Sequence, residues 1–168
     1  MPTITQDRNL LRTSIFISFT CCIILTLIFV FQLQFNSRLV EFGIFPRTIS
    51  GLKGILFAPF LHSSWDHLIN NLWSLFILLA IAIYSYRNVA YKSLIWIFFV
   101  QGTGTWLIGR ENFHIGVSGI IYGLAGFLIV SGLIRKNNSL RAVSILVVLL
   151  HAGFLWGMMP ENFKISWE

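Results

Sequence analysis

The chain has 168 residues, 56% of them hydrophobic and only 11% charged, with 16 Phe and 6 Trp. A soluble domain carries about 25% charged residues, so a soluble globular protein is excluded and a multi-pass membrane protein is predicted. The net charge of +6 does not point to nucleic acid, because the basic residues are scattered through short connections and nowhere interleave with aromatics.

A helix that crosses hydrocarbon needs about 20 mostly apolar residues. Residues 1–13 read as a polar tail, and Ser14–Leu33 as the first span, uncharged throughout. No small-residue cleavage site follows, so this span is expected to stay as an anchor. Cys21 and Cys22 are adjacent within it; they cannot bridge to each other without strain and read as packing residues. Residues 34–62 mix Arg38, Glu41, Arg47 and Lys53 with Gly43, Pro46, Gly51, Gly54 and Pro59. That stretch is too polar to span and too apolar for a linker, so it is expected to form a structured outer loop in the membrane interface. Further spans follow at Asp66–Tyr84, Ser93–Ile108, Ser118–Ile134 and Leu140–Met159, and Pro160–Glu168 forms a short polar tail. The expected fold is a single all-α, polytopic helix bundle over 1–168, with five transmembrane helices and the fourth at its centre.

Orientation follows from Lys and Arg in the connections. Arg8, Arg12, Arg87, Lys92, Arg135, Lys136 and Arg141 fall on the N-terminal side, against Arg38, Arg47, Lys53, Arg110 and Lys164 on the other. The N-terminus is therefore expected in the cytoplasm, in an inner or plasma membrane, with the 34–62 loop outside. Gly119 and Gly123, and likewise Gly153 and Gly157, are four apart. Small residues at that spacing let helices pack closely in lipid and need no chemistry to explain them.

Ionisable and amide side chains inside a membrane usually face a cavity or a partner. His67 and Asn71 are four apart and share one face of the second span. His62 lies at the loop-to-helix junction, where it can fold over the helix start. A bland alternative is a wet interfacial cap, with Asp66 capping the helix. Ser118 stands in Gly116-Val117-Ser118-Gly119, where the fourth span begins. Its small neighbours leave room for another backbone, and helix N-terminal N–H groups can stabilise an oxyanion. Here the alternative is that Ser118 is simply a helix cap.

Taken together, the His-x4-His-x3-Asn string and the later Gly-x-Ser-Gly string resemble the rhomboid family of intramembrane serine proteases. The similarity runs from the first span through the fifth. Gly43-Ile-Phe-Pro46-Arg47, Gly51-Leu-Lys-Gly54-Ile and Pro59-Phe-Leu-His62 also resemble the first loop of bacterial rhomboids, with Pro46-Arg47 where that family often has Trp-Arg. The resemblance implies that Ser118 is the nucleophile, with Gly116 and Gly119 shaping its turn. It implies an oxyanion hole from His62, Asn71 and the Ser118 N–H, with His67 as a support beneath the site. Transmembrane proteins would be the substrates, the lipid bilayer the medium, and no cofactor would be needed.

The family's base is a histidine on a final helix after the serine helix. The only histidine after Ser118 is His151, within the fifth span and without the family's Gly spacing. Ile165-Ser-Trp167-Glu168 resembles the stretch that leads into the family's dyad histidine. The chain thus reads as ending before the last of six helices, with His151 as a less favoured base. The alternative function is a rhomboid-like binder of transmembrane clients without protease activity. A zinc site from His62, His67 and His114 matches no ligand spacing, so no metal is expected. A small transporter is disfavoured, because neither inverted repeats nor a mid-membrane acid is present.

Overall fold

The computed structural model describes residues 4–34, 37–135 and 138–157, the last eight by their backbone alone. Its helices are α1 (Ile4–Gln34), α2 (Gly54–Phe57), α3 (Trp65–Tyr86), α4 (Asn88–Ile108), α5 (Ser118–Ile134) and α6 (Asn138–Gly157). Five are the expected spans, and α2 is a single turn inside the loop. Thr5–Gln34 and Trp65–Tyr86 are each long and apolar enough to cross a membrane; Ser118–Ile134 and Asn138–Leu149 are apolar but shorter. Gln101, Thr103 and Thr105 dilute α4.

Residues 4–13 are helical, because α1 begins at Ile4 and continues unbroken into the first span. No Gly or Pro interrupts Gln6–Thr13, and Asp7 in the first turn complements the helix dipole. The cap of α3 is not Asp66 but Ser64, whose side chain accepts the His67 N–H at 3.1 Å. Ser64 stands at the extended residue immediately before the helix, where a short hydroxyl reaches the third N–H; Asp66 is already inside the first turn.

α5 lies at the centre and touches α3, α4 and α6, while α1 packs on α3. Ile121, Leu124, Ala125 and Leu128 of α5 are buried against Leu68, Leu75, Leu78, Leu79 and Ala82 of α3 in one core. Small residues allow this closeness. A methyl at Gly123 would collide with Ile97 of α4, and one at Gly132 with Ser144 Oγ of α6. Ser144 Oγ in turn donates to Leu128 O at 3.0 Å, a polar link between α5 and α6. Gly153 and Gly157 fall outside the described side chains. The outer surface is apolar: Phe16, Trp73, Trp96 and Leu149 are each 70–72% exposed. A surface of that kind is satisfied by lipid and not by water.

The loop before α3 is stitched to the loop before α5. Ile44 and His114 exchange two backbone hydrogen bonds of 2.9 Å. Arg47 N donates to Trp106 O at 2.9 Å, Arg47 Nη1 to Gly109 O at 2.9 Å, and Trp106 Nε1 to Thr48 O at 2.8 Å. Arg47 therefore staples the loop to the end of α4. Its 3.4 Å contact with Glu111 is solvent-exposed and adds little.

Candidate active site

The site assembles at the end of the bundle where α1 stops and α3 and α5 start. Ser64 ends the loop and caps α3, which projects His67 and Asn71 from one face, one turn apart. His67 Nδ1 lies 3.0 Å from Ser63 Oγ, which fixes the ring; the tautomer decides which atom donates.

His62 is fully buried, and its ring meets the Phe29 ring edge-on at 6.4 Å and the His67 ring at 5.1 Å. Its backbone is held by one side chain from α1. Gln32 Nε2 donates to His62 O at 2.7 Å, and Gln32 Oε1 accepts the His62 N–H at 3.2 Å. A single amide thus satisfies both backbone groups of a buried residue, which the apolar span around it could not do.

Burial, and next the nearby His67, push the His62 pKa down from 6.5 to about 4, against a smaller upward pull from the Phe60 backbone. At neutral pH the ring is uncharged, with one N–H to donate. The linkage sign follows. The unfolded chain takes up a proton below pH 6.5 while the folded chain refuses it until about 4, so stability falls as pH drops through that window. Acidification from pH 7 to 4 is expected to cost up to about 3 kcal/mol. Thermal midpoints in detergent should show this acid slope in the wild type and a flatter one in His62→Gln; equal slopes would refute it.

Asn71 is 2% exposed, and its Nδ2 has no hydrogen-bond partner among the described residues. A buried amide donor left open costs stability unless something binds there.

The serine turn comes down onto this face. Gly116 N donates to Ala58 O at 2.9 Å, which ties the turn to the first loop. Gly116 adopts φ +108°, a region L side chains rarely enter, and a methyl there would stand 2.7 Å from His67 Nε2 and 3.5 Å from Asn71 Nδ2. The main chain of the turn therefore runs against His67 and Asn71. Ile115 and Val117 are buried on either side, and Ser118, half-buried, is the first residue of α5. The helix cap is Val117, and no side-chain hydrogen bond caps α5; the cap reading of Ser118 thus fails and its hydroxyl is left for other use. The first N–H to bond back within α5 is that of Ile120, to Val117 O at 3.0 Å. The Ser118 and Gly119 N–H groups accordingly have no acceptor inside the helix.

Gly119 admits Gln101 of α4, whose Oε1 would be struck by a methyl there. Sequence reasoning passed over Gln32 and Gln101. Gln101 is a lone amide in an apolar stretch, and that isolation is the signal that could have found it; Gln32, with Gln34 and Asn36 close after it, carries no such signal. His114 sits elsewhere, its Nε2 3.0 Å from Arg110 O. His151 lies on α6 with its side chain outside the described residues.

A family model described as the Rhomboid domain matches residues 50–168, which takes in the later part of the loop, α3, the serine turn and α5. The chain belongs to the rhomboid family. With its lipid-suited surface and apolar helices it is a membrane protein of that family. Similar chains include uncharacterized proteins of Mycobacterium bovis and Mycobacterium tuberculosis, 37% identical over 145 residues, which is 79% of this chain and 59% of theirs. An uncharacterized protein of Mycobacterium leprae is 40% identical over 130 residues, 70% of this chain and 50% of its own. The chain thus spans less than two-thirds of the length of these relatives. No solved structure matches it.

Proposed function

We propose that this rhomboid is an intramembrane serine endopeptidase cutting transmembrane or membrane-proximal segments of other membrane proteins, with Ser118 as nucleophile. One observation carries the reading. The Gly116 turn, which leads into Ser118, is pressed against His67 and Asn71, and the buried Asn71 amide keeps an Nδ2 without a partner among the described residues.

In that reaction Ser118 Oγ bonds to the scissile carbonyl carbon as its proton passes to a base, and the carbonyl π pair moves onto oxygen. The oxyanion is met by Asn71 Nδ2–H, the Ser118 N–H and the neutral His62 ring; removing one such donor typically costs about 10²–10³ in rate. Collapse breaks the C–N bond, the base returns the proton to the leaving amine, and water then hydrolyses the acyl ester. His67, locked by Ser63 and covered by Gly116, supports the turn and takes no proton.

A fluorophosphonate probe applied to membranes tests the nucleophile. Labelling of the wild type that disappears in Ser118→Ala supports the reading. No labelling of the wild type would overturn it in favour of a non-catalytic client binder. A second variant tests the base: loss of labelling in His151→Ala assigns it to α6, and unchanged labelling shows that His151 is not the base.

A further inference from the structure

At the opposite end of the bundle, a cleft of about 460 Å³ opens between the first turns of α1 and the α3–α4 corner, lined by Gln6, Asn9, Leu10, Thr13, Arg87 and Tyr91. Its walls offer amide, hydroxyl and phenol groups and one cation, and no carboxylate. Arg87 is the single residue joining α3 to α4 and is held at φ 47°, so its Cα is fixed at the cleft. Its guanidinium makes no ion pair among the described residues. Arg8, Arg12, Lys92, Arg135 and Arg141 share this end of the bundle with one described acid, Asp7. Such a site suits a phosphate-bearing anion.

The helix below the cleft shows what the anion is attached to. Asn9 and Thr13 line the cleft, and Phe16, Thr20, Ile24 and Leu27 continue the same face of α1 at steps of three and four residues. Phe16, Ile24 and Leu27 are 70%, 46% and 63% exposed. A polar, cationic pocket thus opens directly onto an apolar stripe running toward the membrane centre. A free anion would use only the first; a phospholipid uses both.

We propose that this cleft binds the headgroup of an anionic phospholipid from the leaflet on the N-terminal side, with an acyl chain lying along the α1 stripe. Arg87 pairs with the phosphodiester while Asn9 and Thr13 hydrogen-bond the headgroup.

Native mass spectrometry of the full chain in detergent, titrated with dioleoyl phosphatidylglycerol or dioleoyl phosphatidylcholine, tests this. Wild type should retain one phosphatidylglycerol in preference to phosphatidylcholine. Arg87→Gln and, independently, Asn9→Leu should each weaken it about tenfold, while Arg141→Gln, on α6 at the same end, should change it by less than about twofold. Asn9 is exposed on a helix surface, so its variant reads binding even if Arg87→Gln misfolds. Equal loss in Arg141→Gln would reduce the effect to general charge, and displacement by millimolar inorganic phosphate alone would make it a free-anion site. Either result, or no preference for phosphatidylglycerol, overturns the proposal.

Discussion

Gly116→Val should lower the thermal midpoint in detergent by about 10 °C and abolish probe labelling at Ser118. Two costs add. A β-branched residue at φ +108° stores about 1–3 kcal/mol of backbone strain, and its Cβ would begin 2.7 Å from His67 Nε2, an overpacking cost of about 1–3 kcal/mol. The His67 ring cannot simply swing aside, because Ser63 holds Nδ1 and the His62 ring stands against it. At about 2–4 °C per kcal/mol for a chain of this size, the sum gives the stated shift. Gly119→Ala is the milder comparison at the other glycine of the turn. Its φ is ordinary and its added methyl meets the end of the Gln101 side chain, which can rotate away, so a shift of only about 1–3 °C is expected. Equal midpoints for the two variants would show that the Gly116 turn is not wedged on α3.

The contrast between these glycines marks how far the sequence could be read. That α3 and α5 would be helices, and that His67 and Asn71 would share a face, followed from apolar run length and a four-residue spacing. Ser118 opening the fourth span followed from the Gly-rich break before it. What spacing could not supply was contact across elements. Gly116 and Gly119 look equivalent in the string, yet one faces α3 and the other α4. Ser63, Ser64 and Asp66 all suit a helix start, and only the extended backbone at Ser64 singles out the cap of α3. Hydropathy falls before Ser14, but helical geometry continues through those polar residues, which hydropathy alone does not report. Arg47 carried no expected role, and its link to Gly109 joins segments 62 residues apart, a distance no local pattern reports.

Gln32 is the sharpest case of that hidden long-range order, and its removal should be the second large effect. Gln32→Leu keeps the volume of the side chain but leaves the His62 N–H and C=O without their partner, 9% and 0% exposure at the two residues leaving little water to replace it. Each orphaned group costs about 1–3 kcal/mol, so a fall of about 5–15 °C in the thermal midpoint is expected. Hydrogen exchange at the His62 amide should accelerate in the variant, a readout that loss of mere packing on α1 would not produce. Gln32→Glu keeps an acceptor for the N–H but at neutral pH offers no donor to the carbonyl, so it should fall between wild type and Gln32→Leu. Were Gln32 only a filler of the α1–α3 interface, Leu would be tolerated and Glu, bringing a charge, would be the worse of the two. The order of the two variants therefore decides whether α1, through one amide, sets the position of the His62 ring against His67.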